Sequence, residues 1–144
     1  MKWLRWFIAG ALAVPLGHHV MLGLLNLAGL TTYRPYSFDS TKPFGVPQMI
    51  SLAFWGGVWG ILLGLALLRV RSPRAFWTIA ILFGAIAPTL AAGLVVAPLK
   101  GQRVEPNAML LLVGLLVNGA WGLATAALYR LLERWRATSE SSRV

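Results

Sequence analysis

Four long apolar stretches constrain this chain more than any other feature. A helix needs about 20 apolar residues to cross a bilayer, and the hydrocarbon tolerates few unpaired backbone groups. The stretches cover about residues 4–28, 48–68, 75–96 and 106–132. The sequence therefore predicts an all-α integral membrane protein, a four-transmembrane-helix bundle that forms a single domain over residues 1–134. A short polar tail is predicted at residues 135–144.

The composition points to the same class of protein. Hydrophobic residues make up 58% of the 144 residues and charged residues only 12%, whereas soluble domains carry about 25% charge. These proportions exclude a disordered chain and disfavour a soluble globule. Cysteine is absent, which excludes disulfides, thiolate metal sites and cysteine nucleophiles.

The cations predict how the chain is oriented. Thirteen Lys and Arg face four acids, for a formal net charge of +9. Four cations fall on one side of the predicted spans: Arg34, Lys42, Lys100 and Arg103. The other nine fall on the opposite side: Lys2, Arg5, Arg69, Arg71, Arg74, Arg130, Arg134, Arg136 and Arg143. Since cations are enriched in cytoplasmic loops, both termini are predicted to be cytoplasmic, in a bacterial inner membrane. Because orientation explains the charge, no nucleic-acid partner is expected.

Two short motifs suggest an internal repeat. Gly57-Val58-Trp59-Gly60 matches Gly119-Ala120-Trp121-Gly122, an offset of 62 residues. Residues 6–15 more loosely match residues 77–88, with Trp6 aligned to Trp77. One interpretation is a duplicated helical hairpin with both halves in the same orientation, as in parallel-repeat transport folds. The alternative is chance recurrence within a small apolar vocabulary.

Small residues mark a helix-packing surface. Gly56, Gly60 and Gly64 recur every fourth residue and lie on one face of the second predicted span. The repeat places Gly122 and Ala126 at two of the equivalent positions in the fourth. Such a face lets another backbone approach closely. The sequence favours packing within the chain, and a homo-oligomer or a larger membrane complex is the alternative.

A layer of polar and aromatic residues falls at similar depth in the predicted spans. Ionisable groups inside a membrane span are costly and are functional candidates by default. Three interpretations stay open: hydrogen bonds between helices, a ligand or ion site, and haem or metal ligation by His18 or His19. Haem would need one histidine from each chain of a symmetric dimer. The layer contains His18, His19, Trp55, Trp59, Thr89, Asn118 and Trp121.

No catalytic constellation is visible in the sequence. Ser51 has no acid beside it, and the four acids lie outside the predicted spans or at their ends. We therefore expect a non-enzymatic accessory or packing subunit, with an apolar ligand at the His/Asn/Trp layer as a further expectation. The alternatives are a small oligomeric transporter or channel and, third, a haem-binding membrane protein.

One segment resembles a known family. The segment before the second predicted span contains Lys42-Pro43 and Pro47, and the first part of that span contains Trp55 and Trp59. In this they resemble the first loop and second helix of the translocator protein family, whose members bind porphyrins and sterols. That family has five helices and this chain has four predicted spans, so the chain is not assigned to it.

Overall fold

Four helices of membrane-spanning length form the protein. The computed structural model describes residues 1–41, 44–101 and 107–141, and 79% of the chain is helical. Each of the four helices is long and apolar enough to cross a membrane, as the sequence predicts. They are span 1 (Lys2–Leu27), span 2 (Gln48–Ala66), span 3 (Pro73–Leu99) and span 4 (Ala108–Ser139).

Spans 1 and 3 each contain a wider, π-helical turn. Span 1 consists of α1 (Lys2–Ala13), a π segment (Val14–His18) and α2 (His19–Leu27). Span 2 is α3 (Gln48–Ala66), and span 4 lies within α6 (Ala108–Ser141). Span 3 consists of α4 (Pro73–Ala91), a π segment (Ala92–Val96) and α5 (Ala97–Leu99). The loop between spans 1 and 2 holds an antiparallel pair of two-residue strands, β1 (Ser40–Thr41) and β2 (Val46–Pro47).

The last helix runs through the boundary that the sequence assigns to the polar tail. Helix α6 continues without a break past residue 134 to Ser141. No glycine or proline lies between residues 123 and 141, so nothing in that segment stops a helix. The Thr138 and Ser139 hydroxyls also donate to the carbonyls of Arg134 and Trp135, one turn earlier. Polarity alone does not end a helix.

The spans pack in the order 2–1–4–3. We call the end that carries both termini the inner end, and the end that carries the loop between spans 1 and 2 the outer end. An apolar cluster joins the outer halves of spans 1 and 4 through Leu22, Leu25, Val113 and Val117. At the inner end, all four spans share one apolar cluster of Trp6, Leu63, Leu67, Phe76, Ala80 and Ala126.

Glycines bring spans 1 and 2 into backbone contact. A Cβ built on Gly60 would lie 3.0 Å from the Cα of Gly10, and closer still to the carbonyl oxygen of Trp6. The neighbouring Gly56 is equally tight, since its Cβ would lie 2.8 Å from the carbonyl oxygen of Gly10. Only glycine fits where two helices approach so closely.

Spans 3 and 4 repeat this crossing. A Cβ built on Gly122 would lie 3.0 Å from the Cα of Gly84, and closer still to the carbonyl oxygen of Ala80. Gly122 follows Gly60 by the same 62 residues found in the sequence. In this match the backbone of Trp6 in span 1 takes the position that Ala80, and not Trp77, takes in span 3. The two crossings thus share one arrangement of glycines, and they align span 1 with span 3 differently from the match of Trp6 to Trp77 in the sequence.

Candidate functional site

The seven residues of the predicted layer do not form one site. Trp121 sits at the crossing of spans 1, 2 and 4, and Thr89 pairs with Asn118 between spans 3 and 4. His19 contacts the outer loop, and the His18 ring lies beside it. Trp55 is exposed, whereas the half-buried Trp59 packs against the cluster of Ala13, Val14 and Trp121.

Trp121 ties span 4 to the glycine crossing. Its side chain is 2% exposed, and its indole Nε1 donates a hydrogen bond of 2.9 Å to the carbonyl oxygen of Gly10. The Thr125 hydroxyl in turn donates to the carbonyl oxygen of Trp121 over 2.8 Å. A buried indole N–H needs an acceptor, and the crossing supplies one. Trp121 therefore acts here as a structural link between helices.

Thr89 and Asn118 form a second link. The Asn118 Nδ2 donates to the Thr89 Oγ1 over 2.9 Å. Gly114 lies one turn from Asn118 and leaves room for this approach, because a Cβ there would sit 3.0 Å from the Thr89 methyl group. Hydrogen bonds of this kind stabilise helix association in membranes by about 0.6 kcal/mol on average. The pair fits the interpretation of hydrogen bonds between helices.

His19 is tied to the outer loop rather than to span 4. Its side chain is 2% exposed, and its Nδ1 accepts a hydrogen bond of 3.0 Å from the backbone N–H of Tyr36. The two rings stack, with centroids 5.1 Å apart and an angle of 25° between the planes. The Tyr36 hydroxyl also donates to the carbonyl oxygen of Pro15 over 2.9 Å. Tyr36 thus holds the loop against span 1.

Tyr36 adopts an uncommon backbone conformation at this contact. Its φ is +58°, in the left-handed region that bulky residues rarely occupy. The preceding Pro35 contributes to the packing, because its Cγ lies 3.6 Å from a Cβ built on Gly23. The loop therefore folds back along α2, and the contacts of Tyr36 with span 1 offset the strain of the turn.

The rings of His18 and His19 contact each other where the first π segment ends. In a regular helix, neighbouring side chains point about 100° apart, so the sequence predicts that His18 and His19 cannot both face one small site. Their ring centroids are 5.1 Å apart, with 57° between the planes. Pro15 has no N–H to donate to the carbonyl of Ala11, and that carbonyl accepts from the Val14 N–H instead. The carbonyl of Pro15 itself takes the Tyr36 hydroxyl.

The hydrogen bond to His19 limits what this histidine can bind. A ring nitrogen that accepts a hydrogen bond carries no proton, so the neutral ring has its proton on Nε2. Neither nitrogen of His19 can then ligate a metal or haem in this arrangement. The structure shows no partner among the described residues for the buried His19 Nε2 or for His18 Nδ1. In the described part of the chain, no three His, Cys, Asp or Glu residues group to hold a metal.

The remaining two tryptophans contact other aromatic rings. Trp55 is 56% exposed and contacts the ring of Phe54. Trp59 is half-buried and meets the ring of Phe83 edge-on, at 6.1 Å between centroids. A cleft of about 330 Å³ opens at the outer end, but its lining comes from residues 29–33, 107, 109, 110 and 113. It includes none of the candidate residues.

The predicted packing residues all lie inside the bundle. Gly56, Gly60 and Gly122 form the two crossings. Gly64 instead packs against the indole of Trp6, within 2.7 Å of a Cβ built there, and Ala126 is fully buried at the inner end. All these contacts are within one chain.

Sequence reasoning missed three features of this arrangement. Gly10 meets span 2, although the small residues of span 1 that recur every fourth position are Ala9, Ala13 and Gly17; Gly17 faces span 4. The contact of Tyr36 with span 1 has no sequence signal beyond the preceding Pro35, which favours a turn. The third feature is a stack of Trp6 on Tyr129, with centroids 3.7 Å apart.

Comparison of the chain with models of protein families, with curated proteins and with solved structures gives no match.

Proposed function

We propose that the protein is inserted in a bacterial inner membrane with both termini in the cytoplasm. There it acts as a non-enzymatic accessory subunit that packs on a partner membrane protein. Four helices of spanning length support insertion. The bias of nine cations against four supports the orientation.

One observation carries the accessory role: in the described structure, the π segment near the outer end of span 3 has no neighbouring span. The π segment Ala92–Val96 contacts only the adjoining parts of its own span. Leu94 is 73% exposed, and a Cβ built on Gly93 would meet no described atom within 4 Å. The inner part of span 3, in contrast, is held by the crossing with span 4. The uncovered segment offers a helix of another protein an apolar surface with a glycine at its centre.

The packing argues against transport through a single copy. Glycine backbones meet at both crossings, and Trp121, Thr89 and Asn118 hydrogen-bond to other parts of the chain. A small transporter or channel would therefore need several copies around a shared path. A haem-binding protein would have to rely on His18, because His19 is committed to Tyr36.

A second candidate function is the binding of a small ligand beside the histidines. His19 Nε2 and His18 Nδ1 are buried without a partner among the described residues, and a buried unpaired donor costs about 1–3 kcal/mol. An apolar molecule with a carbonyl oxygen would satisfy the His19 N–H. Mass analysis of small molecules that copurify with the chain, compared with those of the His19→Phe variant, tests this candidate.

Photo-crosslinking tests the accessory role directly. A photoreactive amino acid replaces Leu94, and the matched control replaces Leu24, which is 57% exposed in the outer half of span 1. After irradiation of intact membranes, we expect the Leu94 probe to form an adduct with one protein of defined mass. The Leu24 probe should yield lipid adducts. Lipid adducts alone from both probes would contradict the accessory role.

A further inference from the structure

Four arginines lie at the inner end of the bundle, on spans 3 and 4 and the connection between spans 2 and 3. Arg69 and Arg71 lie in the short connection between spans 2 and 3, and Arg74 lies in the first turn of span 3; all three are exposed. Arg130 belongs to the neighbouring span 4. We refer to these four residues as the basic surface.

Aromatic rings fix the position of Arg130. Its guanidinium carbon lies 4.2 Å from the ring centroid of Phe76 and 5.7 Å from that of Trp77. These two rings are nearly perpendicular, at 88°. A guanidinium stacked on an aromatic face keeps N–H groups along its edge for an oxyanion. Arg130 is therefore held in place before any ligand arrives.

Among the described side chains, no acid pairs with the basic surface. In the described part of the chain, the ion pair at the inner end joins Arg5 to Glu133, at 2.9 Å. No described carboxylate pairs with Arg69, Arg71, Arg74 or Arg130. An anion from outside the chain would neutralise them.

Exposed apolar side chains continue from the basic surface along the bundle. Leu68 is 48% exposed beside the arginine connection. On span 3, Ile81 and Leu82 are 40% and 52% exposed, one to two turns beyond Trp77. A ligand that matches both the basic surface and these apolar side chains has an anionic head and long apolar chains.

We infer that the basic surface binds the phosphate of an anionic phospholipid headgroup, with the acyl chains along the exposed side of span 3. The inference rests on the proposed insertion in a membrane but not on the accessory role. Clusters of cations beside membrane spans attract anionic lipids. The excess of cations at the inner end accounts for the orientation of the chain in the membrane. The stacked Arg130 adds a fixed position at which a headgroup can bind.

Native mass spectrometry of the full chain in mild detergent tests this inference. The probes are phosphatidylglycerol and phosphatidylcholine with identical acyl chains. We expect preferential retention of phosphatidylglycerol. Arg130→Gln should weaken that binding about fivefold, the ratio expected for one arginine near an anionic surface. Arg130→Lys keeps the charge but not the planar group, so its affinity for phosphatidylglycerol should lie between those of the parent chain and Arg130→Gln. Arg34→Gln, an exposed arginine at the outer end, is the matched control and should bind as the parent does.

Several outcomes would overturn the inference. They are equal retention of the two lipids, an equal loss in Arg34→Gln, and displacement of phosphatidylglycerol by equimolar inorganic phosphate, which would identify a free-phosphate site. If Arg130→Gln does not fold, the exposed pair Arg71→Gln/Arg74→Gln provides the same comparison. Absence of the chain from the membrane fraction would contradict the proposed insertion. A membrane-inserted chain that does not discriminate between the lipids would contradict this inference alone.

Discussion

The backbone N–H of Tyr36 donates a hydrogen bond to Nδ1 of His19 over 3.0 Å, so the outer loop is fixed to the interior of span 1. A buried histidine in a membrane span suggests a proton or ligand site by default. In this protein one of its nitrogens instead anchors the loop. The histidine and the loop therefore have to be tested together.

Removal of the Tyr36 hydroxyl should loosen the loop. Tyr36→Phe deletes the hydrogen bond to the Pro15 carbonyl and should lower the free energy of unfolding by about 1 kcal/mol. Unfolding in detergent measures the loss, and limited proteolysis of residues 31–41 reports the mobility of the loop. Tyr33→Phe, at a tyrosine that is 58% exposed, is the control. Equal effects of the two variants would contradict the role assigned to Tyr36.

The glycine crossings should tolerate no side chain. Gly60→Ala and Gly122→Ala each place a Cβ against the backbone of the partner span, and overpacking of this kind costs about 1–3 kcal/mol. Thermal unfolding in detergent measures the effect. Gly93→Ala, where a Cβ meets nothing described within 4 Å, should be close to neutral. Wild-type stability in Gly60→Ala would show that the helices do not approach as described.

Trp121 should stabilise the bundle through its N–H as well as its ring. Trp121→Phe keeps an aromatic ring but leaves the Gly10 carbonyl without its donor, a loss of about 1–3 kcal/mol. Trp55→Phe alters an exposed indole and should stay within about 0.5 kcal/mol of the parent. The comparison uses the unfolding midpoints of the two variants.

Asn118 and Thr89 should be coupled energetically. A double-mutant cycle of Asn118→Leu and Thr89→Val should give a coupling energy of about 0.6 kcal/mol, the average for hydrogen bonds between membrane helices. The four chains are compared by unfolding in the same detergent. Strictly additive effects would mean that the two side chains do not interact.

The absence of cysteine allows a direct test of orientation. Thr32→Cys and Arg71→Cys place single thiols at the outer and inner ends, both at exposed positions. In intact cells, a thiol reagent that does not cross membranes should label Thr32→Cys and should label Arg71→Cys only after lysis. The opposite pattern would reverse the proposed topology.

The sequence predicts the long apolar helices well, because length and apolarity determine whether a segment can span a membrane. It predicts less well which side chains contact each other. Depth along the chain places Thr89 and Asn118 at one level, and the structure pairs them. Depth also places His19 near Asn118, but it contains no information about the direction of a side chain, which the π segment changes. The role of Tyr36 depends on a loop that folds back along a helix, and no periodic pattern describes such a fold.

The π segment in span 1 has a further consequence for how this helix is built. A π turn accommodates one residue more than a regular helix, so it rotates everything that follows by about 100°. The part of span 1 before Val14 is aligned by the glycines of span 2, and the part after His18 is aligned by the outer loop and span 4. Deletion of one residue within the segment would leave Gly10 against Gly60 but turn His19 away from Tyr36. The one extra residue of the π turn thus sets how the outer half of span 1 is rotated relative to its inner half, while span 4 contacts both halves.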